Sequence, residues 1–124
     1  RNDWNLYSQA VSEGVPDMYY RSWYADYPHA ENFLAPLFES EVSQQRWTRY
    51  SNNEVDALIQ KIQSTSNEEE QQKYIQNANS ILIDDAPWVY LWHTRTAHIS
   101  QPNLKGWSSS LMFNAEKYTR VTKE

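Results

Sequence analysis

Apolar positions recur at helical spacing in some segments of this chain and gather into runs of β-formers in others, with turn-forming residues between them. In "DWNLYSQAVSEG", Trp4, Tyr7, Ala10 and Val11 lie on one face of a helix. Asp3 stands where it can cap that helix, and Gly14 offers a left-handed stop with Pro16 just beyond. "DMYYRSWYA", residues 17–25, is rich in aromatic β-formers and predicts a strand. "DYPHAENF" then predicts a turn, because Pro28 restrains its neighbours and Asp and Asn favour turn geometry. "NFLAPLFES" is apolar and predicts short helical turns, broken or restarted at Pro36.

Two helices in the middle have the strongest pattern. Ser51 precedes Glu54 by three residues, a capping-box spacing, and Val55, Leu58, Ile59 and Ile62 then follow the helical repeat. A second start appears at Asn67, where three glutamates suit the positive end of a helix dipole. Tyr74, Ile75, Ala78, Ile81 and Leu82 form the apolar face of that helix until Pro87 stops it. "WVYLW", residues 88–92, is a continuous apolar run and predicts a strand buried on both faces. Beyond it, "QPNLKGWSSS" is turn-rich and "EKYTRVTKE" predicts a polar edge strand. Helices alternating with strands place the chain in the α/β or α+β class. The tail carries few apolar anchors, which suits an arm that packs against something outside this chain.

Composition narrows the picture. The chain has 124 residues and a formal charge of −5, with scattered basic residues, so a nucleic-acid surface is not expected. Six Trp and nine Tyr exclude a disordered composition. There is no cysteine, which removes disulfides, thiolate metal sites and Cys nucleophiles without fixing a compartment. No apolar stretch has transmembrane length and no signal peptide opens the sequence, which starts at Arg1 and reads as a processed or excised piece.

Candidate chemistry is sparse. His29, His93 and His98 do not have zinc-ligand spacing, so surface or capping roles are expected and no metal or cofactor is assigned. Asp84–Asp85 and Glu68–Glu70 are read as helix-end charges rather than catalytic or calcium-binding carboxylates. No nucleophile motif or phosphate-binding loop is present, so an enzyme is not expected. The segment "RSWYADYPHAENF" stands out, with five aromatic side chains, the His29 imidazole included, around Asp26. It fits an aromatic strand in which Asp26 caps the next turn. It also fits a ligand wall, in which Trp and Tyr supply stiff contact area and a carboxylate orients a cationic group. Stacked aromatics serve carbohydrate as well as peptide, and composition alone leaves that choice open.

Four motifs occur in order: "W-x-A-D-Y-P-x-x-x-x-F-L" at Trp23 to Leu34, "Y-S-N-x-E-x-D-x-L-I" at Tyr50 to Ile59, "A-N-x-x-L-x-x-D-A-P-x-x-Y-L" at Ala78 to Leu91, and "P-N-L-K-G" at Pro102 to Gly106. Together they resemble the C-terminal quarter of the extracytoplasmic solute-binding proteins of bacterial ABC importers, in the oligopeptide/dipeptide branch. The resemblance implies an α/β, two-lobed fold resembling the periplasmic binding proteins, closing on its ligand like a clamp. Residues 1–92 would form the second half of the C-terminal lobe, and 93–124 would return to the N-terminal lobe, which is absent from this chain.

The resemblance also implies residue roles. Asp26 matches the aspartate that holds a peptide's α-ammonium group, and Trp23 matches a tryptophan that walls a side-chain pocket. Ser22, Trp23 and Tyr24 match the strand whose backbone pairs with an extended peptide. Many relatives read "D-Y-P-D-P" or "D-Y-P-D-A", and here His29 stands where the second acid would be, which puts the shape of that turn in question. The implied function is capture of oligopeptides outside the cytoplasmic membrane, in the periplasm or as a lipid-anchored surface protein, and delivery to an ABC permease. Relatives of this fold carry nickel chelates, glutathione, haem or oligosaccharides, and a free-standing aromatic-rich interaction domain is the alternative from another class.

Overall fold

A computed structural model of the chain describes residues 3–46, 48–93, 95, 97, 99–108, 110, 112 and 118–124. Along it run α1 (Trp4–Glu13), a 3₁₀ turn (Ala30–Phe33), α2 (Ala35–Phe38), α3 (Ser40–Arg46), α4 (Asn53–Ser64) and α5 (Glu68–Asp85). Two short strands follow, β1 (Leu104–Lys105) and β2 (Thr122–Lys123). The described chain is thus helix-rich with a small sheet.

The helices begin and end for local reasons. The Asp3 carboxylate accepts the Asn5 N–H at 2.8 Å, and Gly14, at φ 71°, returns its N–H to the Ala10 and Val11 carbonyls. Asn67 Oδ1 caps α5 by accepting from the Glu69 and Glu70 N–H groups at 3.0 and 3.2 Å. The cap of α4 is Asn52 rather than Ser51: its Oδ1 accepts from the Glu54 and Val55 N–H groups at 2.9 and 3.3 Å. The expected Ser51–Glu54 box is therefore displaced by one residue. Asn ranks with Ser as an N-cap, and its amide can do a second job that a serine hydroxyl is too short to reach. Asn52 Nδ2 donates to Asp85 Oδ2 at 2.8 Å, across to the far end of α5.

That contact corrects the reading of Asp84–Asp85. Glu68–Glu70 do lie in the first turn of α5, but the two aspartates lie near its C-terminal end, where the dipole disfavours a carboxylate. Asp85 is held there by side chains instead. It accepts from the Tyr50 hydroxyl at 2.6 Å as well as from Asn52.

The core forms where α4 lies on α5. Val55, Leu58, Ile59 and Ile62 are buried against Ala78 and Leu82, with Leu34, Ala35, Leu37 and Phe38 completing the cluster. Each large aliphatic side chain buried in this way contributes about 1.5–3 kcal/mol before chain entropy is counted. Tyr74, Ile75 and Ile81 pack at its margin, as the helical repeat predicts. The Phe38 ring meets Trp88 at 5.0 Å and the edge of Tyr50 at 6.2 Å, so the start of "WVYLW" is anchored to this cluster.

The rest of that run departs from expectation. Residues 88–92 form no strand, and beyond half-buried Trp88 they face outward: Val89 is 73% and Trp92 67% exposed. Residues 17–25 likewise form no strand beyond one parallel bridge between Ala25 and Met112. A run of β-formers cannot close its backbone hydrogen bonds by itself. It needs a neighbouring strand, and among the described residues none lies beside either segment. Tyr20 and Trp92 stack on each other at 6.1 Å instead.

In the tail, Leu104 and Lys105 pair antiparallel with Lys123 and Thr122, so the expected edge strand is reduced to two residues. Residues 116 and 117 of that expected strand lie outside the described ones. Gly106, at φ 76°, closes this pairing. A Cβ there would lie 1.9 Å from the Arg120 carbonyl oxygen, so only glycine fits.

The Tyr50–Asp85–Asn52 contact has a pH signature. Hydrogen bonds from Tyr50 and then Asn52 hold the Asp85 carboxyl below its ordinary value. Its contribution to stability is therefore full at neutral pH and drains away as pH falls from the ordinary carboxylate range toward the lowered folded-state value. Burial, then Asp85, pushes the Tyr50 hydroxyl up, which makes an alkaline limb: stability declines once pH exceeds about 10, the ordinary tyrosine value. Tyr50→Phe keeps the ring against Phe38 and removes only the hydroxyl. We expect it to flatten both limbs in thermal melts taken across pH, whereas unchanged slopes would mean the contact does not form in solution.

Candidate functional site

The segment singled out by its aromatics and by Asp26 is organised by a residue with no distinguishing signal in the sequence. Asn32 lies in the 3₁₀ turn, and at 2% exposure it is one of the most deeply buried polar side chains in the molecule. Its Oδ1 accepts the Asp26 backbone N–H at 2.9 Å and the Trp23 indole N–H at 3.3 Å. Its backbone carbonyl accepts the same indole N–H at 2.9 Å. A buried amide with good partners is affordable, whereas one left unsatisfied would cost about 1–3 kcal/mol. The sequence offered "NF" only as a turn former, since bonds spanning six and nine residues carry no local signature.

Around this centre the predicted site residues divide. Trp23 is half-buried, and its ring packs against the edge of the hydrophobic core. Ala25 is buried and bridges to Met112. Ser22, Tyr24 and Asp26 are exposed. Asp26 does not cap the following turn. That role belongs to His29, whose Nδ1 accepts the Glu31 N–H at 3.1 Å. The Asp26 side chain is thereby left to the surface, and its backbone N–H is what fixes its place.

His29 also answers the question its position raised. With Nδ1 accepting, its proton resides on Nε2, which donates to Gln71 Oε1 at 3.0 Å. Gln71 in turn donates from Nε2 to the Ile62 carbonyl at 3.0 Å, in the last turn of α4. A second tie runs from Gln63 Nε2 to Glu31 Oε1 at 2.9 Å, and the Tyr27 hydroxyl donates to Glu31 Oε2. That last bond is the main reason the Tyr27 hydroxyl is raised above its ordinary value. The turn is thus fastened to α4 and α5 at two points, and an imidazole nitrogen supplies the acceptor a carboxylate oxygen would supply there.

The other expected candidates stay apart. His93 is exposed, and His98 lies outside the described residues. Among the described residues no three His, Asp or Glu side chains come together to hold a metal ion, and no helix is long and apolar enough to cross a membrane.

Comparison with known proteins supplies the family. No family model matches the chain, and no solved structure matches it significantly. Curated proteins do. Heme-binding protein A of Haemophilus influenzae is 29% identical over 109 residues, covering 87% of this chain and 20% of that protein. A probable D,D-dipeptide-binding periplasmic protein of Escherichia coli is 30% identical over 98 residues, 77% of this chain and 19% of its own length. The glutathione-binding protein of Salmonella paratyphi A is 28% identical over 92 residues, 72% of this chain and 18% of its own length. The chain belongs to the oligopeptide-binding family of solute-binding proteins. It spans about a fifth of the length of the family members it matches.

Within this family member, the His29 latch is open to a direct test. His29→Ala removes both the cap of the turn and the tie to Gln71, while His29→Asn keeps an acceptor for Glu31 and is too short for Gln71. We expect the Glu31 amide to exchange with solvent roughly fivefold faster in the alanine variant, for a cap contributing about 1 kcal/mol. The asparagine variant should fall between it and the wild type. Equal exchange in all three would show that the latch does not hold the turn.

Proposed function

We propose that the chain is the ligand-contacting part of the C-terminal lobe of a two-lobed receptor for an ABC importer. Such a receptor captures short peptides outside the cytoplasmic membrane and passes them to a permease. The observation that carries this reading is the arrangement at Asp26. An exposed carboxylate occurs in one short stretch with exposed Tyr24 and Ser22 and half-buried Trp23, on backbone fixed by a buried amide. In this reading Asp26 receives the α-ammonium group of the peptide, Trp23 and Tyr24 wall its first side chain, and the backbone at 22–24 pairs with the extended ligand. No chemical step on the ligand is assigned, and the protein acts by binding alone. Ligand favours closure of the lobes by as much as it binds the closed form better.

The outward-facing run at 89–92 supports an incomplete lobe, since a large apolar strip with the composition of a buried strand marks a surface normally covered. Residues 1–92 then belong to the C-terminal lobe and 93–124 return toward the other one. The names of the relatives favour a second reading with the same machinery and a different cargo, a heme or glutathione receptor.

Calorimetry on the full-length receptor with trialanine and with N-acetyl-trialanine separates these readings. The peptide reading expects tight binding of the free amine and a loss of about ten- to a hundredfold on acetylation, for a charge-assisted contact of about 1.5–3 kcal/mol. Asp26→Asn should bring a similar loss for the free amine and little change for the acetylated form. Equal affinity for both peptides in the wild type would remove the role given to Asp26. Binding of heme or glutathione with no peptide binding would favour the second cargo.

A further inference from the structure

The residue proposed as the ligand anchor, through its backbone N–H, and the ring proposed as the pocket wall, through its indole N–H, both donate to one side chain, and that shared partner takes no part in ligand contact. Asn32 is 2% exposed, so no ligand can reach it without unfolding the turn. Yet its Oδ1 receives the Asp26 N–H at 2.9 Å and the Trp23 Nε1–H at 3.3 Å, while its own carbonyl receives that indole N–H at 2.9 Å. We infer that Asn32 is a positioning residue that sets the distance and angle between the Trp23 ring and the Asp26 carboxylate, and so determines whether the site distinguishes a free amine from a blocked one. This rests on the peptide reading above.

The physical reason is the shape of the linkage. Asp26 follows the buried Ala25 and precedes a turn, so its backbone has few fixed points of its own. One carboxamide oxygen ties it, through its N–H, to the same point that receives the indole. The two groups therefore move together or not at all. The turn carrying Asn32 is fastened in turn by His29 to Gln71 and by Glu31 to Gln63, so the reference point belongs to α4 and α5 rather than to a loose loop. Recognition of an ammonium group by one carboxylate depends steeply on placement, and a displacement of an ångström exchanges a direct hydrogen bond for a water-filled gap. Affinity drawn from ring contact and main-chain pairing is far less sensitive. Loosening Asn32 should therefore erode discrimination between amines more than it erodes binding itself.

The test uses the full-length receptor with trialanine and N-acetyl-trialanine, comparing wild type with Asn32→Ala and Asn32→Asp. Two quantities are read: the ratio of the two affinities, and solvent exchange at the Asp26 amide by mass spectrometry. In Asn32→Ala the Asp26 amide should exchange about two- to tenfold faster, and the affinity ratio should fall toward one, as expected when a single hydrogen bond of this kind is lost. Asn32→Asp retains an acceptor oxygen and should restore protection of the Asp26 amide. A role confined to stability would lower both affinities in parallel and leave their ratio intact. Faster exchange with an unchanged ratio, in a protein whose wild type discriminates, overturns the inference and leaves the Asp26 assignment standing. A wild type that binds both peptides equally overturns that assignment and the inference with it.

Discussion

The apolar seam between α4 and α5 is what the rest of the described structure leans on. Ile59 and Val55 are wholly buried on one side of it and Ala78 on the other. Alanine at that point lets two helices lie close, and it brings the end of α4 beside the start of α5 with a three-residue connection. Everything around the proposed site takes its position from that pair. The 3₁₀ turn is tied to the α4–α5 corner through Gln71 and Gln63. At the opposite end Asn52 and Tyr50 clamp the terminus of α5. The seam is apolar and undirected, and the polar ties at its two ends give it register.

Those ties also explain why a surface carboxylate can be exposed without being loose. The buried amide of Asn32 fixes the backbone under Asp26, and the aliphatic cluster fixes the helix pair behind it. Between them stand His29 and Glu31, each using one atom to shape the turn and another to reach a helix. In the peptide-receptor reading proposed above, such rigidity falls where the feature shared by all peptides would be read.

What was legible in the sequence was what forms within one or two helical turns. α1 with Asp3 and Gly14, the faces of α4 and α5, the Asn67 cap and the interruption at Pro36 all follow from spacing and propensity, and all are found. Where two cap-competent residues stood side by side, spacing chose Ser51 and the structure uses Asn52, because a contact 33 residues away decided between them. The strands at 17–25 and 88–92 were read from composition, yet a strand is a property of at least two segments, and their partners are not among the described residues. In the proposed site, Asp26, Trp23 and Tyr24 stand out by residue type and motif. Asn32 does not, since nothing in a short window distinguishes an amide that organises a site from one that merely favours a turn.

The run from Trp88 to Trp92, which faces outward beyond its first residue, has a consequence for the solubility of the chain. Five consecutive apolar β-formers without charge or internal proline have the composition of a segment that stacks with copies of itself. Asp84, Asp85 and Pro87 stand directly before the run and Arg95 shortly after it. Residues of those kinds, flanking a hydrophobic strand, oppose its growth into an extended intermolecular sheet. The two aspartates at the end of α5 thus flank the apolar run, while Asp85 also serves the contact with Tyr50 and Asn52.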